Sequence, residues 1–223
     1  MDIRENLLKI KSALPDGVQL IAVSKFHPAE TVKEAYDAGQ RVFGESRVQE
    51  LTAKQPVLPG DVEWHFIGTL QTNKVRHIAP FVAMIQSVDS LKLMREIDFQ
   101  AGKCGRTIRT LIEVHIAGED SKHGFSTGEC RSLFAEDVLR QFAHTQVCGL
   151  MGMATFTDDT EQVRREFGAL RTLFEEIRCM PAVDRSVFRE LSMGMSDDYP
   201  AAISKGSTMV RIGTGIFGAR QYF

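Results

Sequence analysis

The chain has no apolar run near the roughly 18 residues that a membrane-spanning helix needs, and its start, Met1-Asp2-Ile3-Arg4-Glu5, is charged where a signal peptide is apolar. Neither insertion nor export is expected, which leaves the cytoplasm. Basic charge is not in excess either. Lys+Arg 27 stand against Asp+Glu 29, a formal net charge of -2, so the broad positive surface that nucleic acid requires is missing. Cysteine is sparse: Cys104, Cys130, Cys148 and Cys179 are widely spaced with no C-x-x-C pair, which fits reduced packing thiols better than a disulfide framework or a zinc site. His27, His77, His115, His123 and His144 show no ligand spacing with carboxylates, so no metal is expected. Low-complexity segments, long linkers and breaks in composition are absent too, and the 223 residues read as one domain, 1–223.

What is present is an alternation of short apolar strands and amphipathic helices. Ile3, Leu7, Ile10 and Leu14 share one helical face, and Pro15-Asp16-Gly17 stops that helix. Ile21-Ala22-Val23-Ser24-Lys25 follows as a buried strand ending in a lysine, after which Pro28 opens a helix with Val32, Ala35 and Tyr36 inward. Further strands are expected at 41–44, 64–68, 81–85, 107–116, 147–151, 188–193 and 209–212. Helices are expected from about Ser46, whose hydroxyl caps the first turn, and over 73–78, 91–101, 133–142, 163–177 and 201–205. Parallel βαβ units repeated to eight strands favour an α/β fold, a single (β/α)8 TIM-type barrel with an extra N-terminal helix. An open doubly wound sheet is the alternative.

In such a barrel the chemistry lies at the C-terminal strand ends, and phosphate groups are held by the loops after strands seven and eight. Lys25 stands at that end of strand one, which closes the barrel beside strand eight. A desolvated amine is costly unless paired, neutral or covalently capped, and burial lowers its pKa toward the range where it condenses with carbonyls as a Schiff base. The alternative is a snorkelling lysine with its head paired to Glu45 or in water. The two loops, Ser192-Met193-Gly194-Met195-Ser196 and Gly213-Thr214-Gly215, offer backbone donors that approach a phosphate closely. Taken singly, Gly194, Gly213 and Gly215 read as turn formers needing positive φ. Asp197 and Asp198 would repel phosphate, so the anion is expected on the Ser192/Gly194 and Gly213/Thr214 side, with Asp198 capping the next helix and Pro200 in its first turn. Arg211 on strand eight suits either a hydrogen bond to a pyridine nitrogen or a barrel-end ion pair. His65, between Trp64 and Phe66, faces lumen or helix layer, and a lone histidine there reads as a hydrogen-bonded core residue. Lys122-His123-Gly124 reads as a solvated loop.

Several stretches together resemble the pyridoxal phosphate homeostasis proteins, the YggS-like or proline synthetase co-transcribed family. They are Ala22-Val23-Ser24-Lys25, Phe43-Gly44-Glu45, Trp64-His65-Phe66-Ile67-Gly68, Leu70-Gln71-Thr72-Asn73-Lys74 and Gly149-Leu150-Met151. Leu191-Ser192-Met193-Gly194-Met195-Ser196-Asp197-Asp198 and Gly206-Ser207-Thr208-Met209-Val210-Arg211-Ile212-Gly213-Thr214 complete the set. The resemblance runs from about Leu7 to the C-terminus.

It implies a fold-type III barrel like the N-terminal domain of alanine racemase, binding pyridoxal 5'-phosphate (PLP) as an internal aldimine. By that likeness Lys25 is the Schiff-base lysine, Ser192, Gly213 and Thr214 hold the phosphate, and Arg211 lies near the pyridine nitrogen. Ser46, His65 and Gly194 complete the expected cofactor-binding set. Many members carry Asn where Ser46 follows Phe-Gly-Glu, so any hydrogen bond of that amide is not carried over. The implied role is intracellular PLP homeostasis by a monomer that exchanges PLP with amino acids or PLP-dependent apoenzymes, rather than robust catalysis. Alanine racemase takes its second acid/base, a tyrosine, from a further domain, and none follows the eighth unit here. Tyr36 is read on an outer helix, and Tyr199 and Tyr222 have no assigned place. A racemase-like enzyme of low activity is the alternative, and a PLP-independent Schiff-base aldolase on a phosphosugar is a third reading.

Overall fold

Alternation of side chains along short apolar runs gives each strand one face toward a lumen and one toward a helix layer. In the computed structural model, which describes residues 2–118, 123–136 and 138–219, the strands are β1 (Gln19–Val23), β2 (Val42–Glu45), β3 (Glu63–Phe66), β4 (Met84–Val88), β5 (Ile108–Glu113), β6 (Thr145–Met151), β7 (Glu190–Ser192) and β8 (Met209–Ile212). They pair in parallel in chain order and close on themselves, with Ile21 of β1 opposite Arg211 of β8. The closed α/β barrel is the expected fold. Its helices are α1 (Ile3–Ala13), α2 (Ala29–Asp37), α3 (Val48–Lys54), α4 (Val75–Ile78), α5 (Leu91–Lys103), α6 (Thr127–Ala135), α7 (Thr160–Arg178), α8 (Tyr199–Ser204) and α9 (Thr214–Phe217). None of the described helices is long and apolar enough to cross a membrane.

Two apolar groups divide the interior. Ile21, Val42, Met84, Leu111, Cys148, Met151 and Met209 fill the lumen, while Leu20, Ala22, Phe43, Trp64, Phe66, Leu150 and Val210 pack outward against the helices. Above that apolar floor the lumen turns polar, and this is where the sequence reading of the strands slips. The fourth strand is not 81–85 but Met84–Val88. The apolar start of the expected run lies in a turn held by Arg106, whose guanidinium donates to the carbonyls of Ala79 and Val82. The real strand continues through buried Gln86 and Ser87, polar residues that an apolar pattern does not see.

Other boundaries move for local reasons. Helix α6 stops at Ala135, and Val138–Gln141 forms a separate 3-10 turn, so the expected 133–142 helix is broken. Ser46 caps nothing. Helix α3 begins after Arg47, which makes no side-chain capping bond. Asp198 precedes α8 without capping it, because its carboxylate turns back to accept from the Met195 N–H at 2.5 Å. Cys130 and Cys148 are buried packing thiols, but Cys104 and Cys179 are exposed at the ends of α5 and α7. Lys122 and Tyr222, named above, lie outside the described residues.

A lysine is buried where the sequence reading expected none. Lys54, 6 % exposed, reaches from α3 to Glu45, which is fully buried, with Nζ 2.5 Å from Oε1. Burial pushes the Glu45 carboxyl pKa up, while Lys54 and the Ser24 hydroxyl hold it down. Removing one partner leaves the other desolvated and alone, which costs about 3–5 kcal/mol for a buried pair, whereas an apolar replacement of both is far milder. Lys54→Met should therefore lower unfolding free energy by about 3 kcal/mol in a denaturant titration. Adding Glu45→Met to that variant, which makes the pair apolar, should recover most of the loss.

Candidate functional site

The chain leaves β1 at Val23 and turns at Ser24, Lys25 and Phe26, and both flanks of Lys25 are tied to the buried pair. The Ser24 hydroxyl donates to Glu45 Oε1 at 2.7 Å, and Lys54 Nζ donates to the Ser24 carbonyl at 2.8 Å. On the other side the Phe26 N–H donates to Glu50 Oε2 at 2.7 Å, and Lys54 Nζ also lies 3.3 Å from that oxygen. Phe26 has φ +66°, the one left-handed non-glycine residue among those described, with the Arg47 guanidinium 4.5 Å from its ring centroid. A bulky residue in that region costs roughly 1–3 kcal/mol and persists only where its surroundings over-determine it. Lys25 itself is half-buried. The expected alternative partner, Glu45, is taken by Ser24 and Lys54.

The turn lies against the segment that follows β8. A Cβ on Gly213 would be 3.0 Å from the Val23 carbonyl oxygen, and the His27 ring packs 5.1 Å from that of Phe217 in α9. Contacts on either side of Lys25 thus hold it beside the start of α9. The N–H groups of Thr214 and Gly215 belong to the first turn of that helix, where no intrahelical acceptor exists, and both residues are exposed. Of the three glycines expected to need positive φ, only Gly194 has it, at +89°. A side chain there would meet Ala202 Cβ at 2.7 Å and Tyr199 Cα at 2.8 Å. Its carbonyl accepts from the Arg211 N–H at 2.9 Å, which ties the β7 loop to β8.

Inside the lumen one hydrogen-bonded chain links four strands. Arg211, 4 % exposed, donates through one terminal nitrogen to Ser192 Oγ at 2.6 Å and through the other to the Gly152 carbonyl at 3.1 Å. Ser192 donates onward to Gln86 Oε1 at 2.7 Å, and Gln86 Nε2 meets His65 Nδ1 at 2.9 Å. With Gln86 donating, Nδ1 is the acceptor and the ring proton sits on Nε2, which is buried without a partner. Burial also drives the His65 pKa down to about 3, so the ring stays neutral. His65 therefore faces the lumen, on the side away from Trp64 and Phe66. Ser192 is the last residue of β7 rather than the first of a loop, and its hydroxyl is spent on Gln86 and Arg211. Burial lowers the Arg211 pKa to about 10, with Asp198 and Glu113 pulling the other way, so the guanidinium is a buried cation.

The structure brings Lys25, Gly213, Thr214, Gly194, Ser192 and Arg211 to one end of the barrel, with His65 reached through Gln86. Ser46 follows β2, its backbone pressed on Gly68, where an added Cβ would be 2.4 Å from the Ser46 carbonyl oxygen. Sequence reasoning missed Gln86, Lys54, Glu50 and Glu113. The first lies beyond the expected end of its strand, and the next two are charges on what reads as a solvated helix. Glu113 ends β5 on the lumen side, two residues after Leu111, and is 5 % exposed. A cavity of about 280 Å³ lies elsewhere, lined by Leu133, Phe134, Thr145, Val147, Val183 and Phe188. Those residues border the N-terminal starts of β6 and β7, away from Lys25.

Comparison with known proteins gives one consistent result. Residues 1–221 match the family described as the alanine racemase N-terminal domain. The pyridoxal phosphate homeostasis protein of Pasteurella multocida is 38 % identical over 100 % of this chain and 99 % of its own. That of Aquifex aeolicus is 40 % identical over 92 % of this chain and 88 % of its own. Among solved structures, PipY of Synechococcus elongatus PCC7942 without PLP superposes with a TM-score of 0.90 at 40 % identity, covering 97 % of this chain and 100 % of that one. The same protein with PLP bound gives 0.87 at 39 % identity, with the same coverage. An alanine racemase of Clostridium difficile shares the fold alone, with a TM-score of 0.76 at 14 % identity over 99 % of this chain and 57 % of that one. The chain belongs to the alanine racemase N-terminal-domain family and, within it, to the pyridoxal phosphate homeostasis proteins.

Proposed function

We propose that this protein binds PLP covalently and reversibly at Lys25 and serves intracellular PLP homeostasis. The observation that carries the reading is the position of Lys25, fixed on both flanks by the Lys54 network and set against the first turn of α9. PLP bound in PipY, a 39 % identical protein, supports the same ligand. The donor set suits it. A half-buried amine fits an aldehyde, exposed first-turn N–H groups fit a phosphate, and a buried guanidinium fits a ring nitrogen that needs a donor.

When bound, PLP supplies an aldehyde open to capture by an amine and a ring that withdraws electrons. The protein's own residues do the rest. Lys25 is the capturing amine, and Gly213 and Thr214, with the first-turn N–H groups of α9 and the exposed Thr214 hydroxyl, orient the phosphate end. Gly194 keeps the β7 loop tight enough to line the same edge. Arg211 presents its charge from the lumen; it does not give up its proton, so it leaves the ring nitrogen unprotonated. Ser192 then acts by aiming Arg211 rather than by holding phosphate with its hydroxyl. His65 stays neutral at the far end of the chain and supports the floor through Gln86. A neutral ring nitrogen makes a weak electron sink, which favours holding the cofactor over turning over substrates. Four unpaired thiols fit a reducing cytoplasm, and amino acids and PLP-dependent apoenzymes are the exchange partners the chemistry admits, with the protein acting as a monomer.

The purified protein should develop a visible absorption band with PLP that Lys25→Ala lacks, and a colourless wild type would contradict the reading. Thr214→Val should weaken PLP about tenfold in the same titration while leaving uptake of unphosphorylated pyridoxal unchanged. Equal losses for both ligands would move the phosphate away from α9.

A further inference from the structure

Glu113 is the buried ionisable group that the reading above leaves without a task. It sits on β5, the strand diametrically opposite β1 in a closed eight-strand barrel, at the same C-terminal end as Lys25. Its backbone carbonyl accepts from the Phe125 N–H at 2.8 Å, and its register partner is Met151. Its carboxyl is different. No hydrogen bond among the described residues ends on it, although the residue is 95 % buried by its 5 % exposure. Arg211 points the same way, since its guanidinium bonds Gly152, the neighbour of Met151.

A carboxyl on a residue only 5 % exposed, on the lumen side of β5 and without a hydrogen-bond partner among the described residues, is favoured by either a proton or a partner. The charged and titratable groups around it among the described residues are Asp89 beyond β4, Arg211 from β8, and His115 and His123 on the strand-five loop. Asp89 repels the carboxylate and Arg211 attracts it, with burial outweighing both. A phosphate dianion entering beside Arg211 would compete for that cation and add negative charge to the same space.

We propose that Glu113 determines how tightly the mouth retains an anionic phosphorylated aldehyde, because its carboxyl has to carry a proton while the ligand is bound. Loading at Lys25 then takes a proton onto Glu113 from solvent, and loss of that proton favours release. The inference rests on PLP binding at Lys25 and deepens it. The direction follows from charge. Burial already lifts this carboxyl to about 7, and a bound anion lifts it further, so the wild-type affinity falls as pH rises beyond that range. Lys25 favours binding in its neutral form and so acts in the opposite sense, but it is common to wild type and variant and cancels in a comparison.

The test is a visible-absorbance titration of wild type and Glu113→Gln with PLP between about pH 6 and about pH 8.5, which spans the range of the buried carboxyl. The two dissociation constants should be similar at the acid end, and wild type should be weaker by roughly tenfold at the alkaline end, the size expected of one nearby charge. A ratio constant across the range overturns the proposal while leaving PLP binding intact. Wild type that never develops the band overturns the binding reading, and this inference with it. Should Glu113→Gln fail to fold, carboxyl NMR of wild type labelled in glutamate decides the matter. A Glu113 midpoint that rises on adding PLP supports the proposal, and one that stays or falls overturns it.

Discussion

A single buried ammonium, that of Lys54, sets where the candidate site can be. It binds a fully buried carboxylate on β2 and a carbonyl beside Lys25, and lies 3.3 Å from the Glu50 carboxylate, so helix, strand and turn cannot move independently. Buried ion pairs add little net stability against an apolar alternative. What this one provides is register. It fixes the backbone on either side of Lys25, including a left-handed Phe26 that a free turn would relax. An amine placed in advance loses less entropy when a ligand engages it.

The barrel separates two tasks by height. Its floor is apolar and closed by Ile21, Val42, Met84, Leu111 and Met209, while its upper wall carries His65, Gln86, Ser192, Arg211 and Glu113. The hydrogen-bond chain runs one way, from Arg211 through Ser192 and Gln86 to His65, with each donor facing an acceptor. That direction holds the guanidinium rigidly and leaves the orphan at the far end, on the histidine. The loops above are closed by short ties of their own, such as Asp198 on the Met195 N–H and the Arg211 N–H on Gly194. The rim is thus a set of fixed donors rather than a flexible lid.

The barrel was legible because its signals are periodic. The stripe of Val163, Phe167, Leu170, Phe174 and Ile177 and the eight apolar runs specify units that pack in only a few ways. Lys25 was legible because a lysine ending a buried strand is costly. Where the reading failed, polar residues were buried by partners distant in sequence. Gln86 extends β4 because the lumen supplies Ser192 and His65, Ser87 because its hydroxyl donates to the Gly68 carbonyl, and Lys54 is buried because Glu45 waits for it. Ser46 and Asp198 look like helix caps by residue type, yet the local backbone sends one to a tight approach with Gly68 and the other backward. Ser192 looked like a phosphate ligand because its loop is glycine-rich, and only the fold reveals that its hydroxyl is committed.

These features converge on one amine as the covalent attachment point, with the rest of the mouth arranged around it. Reduction of the PLP-loaded protein with borohydride, followed by peptide mass mapping, reads that point directly. The account predicts a single pyridoxyl phosphate adduct on the peptide carrying Lys25. An adduct on another lysine such as Lys54, or none at all, would contradict it.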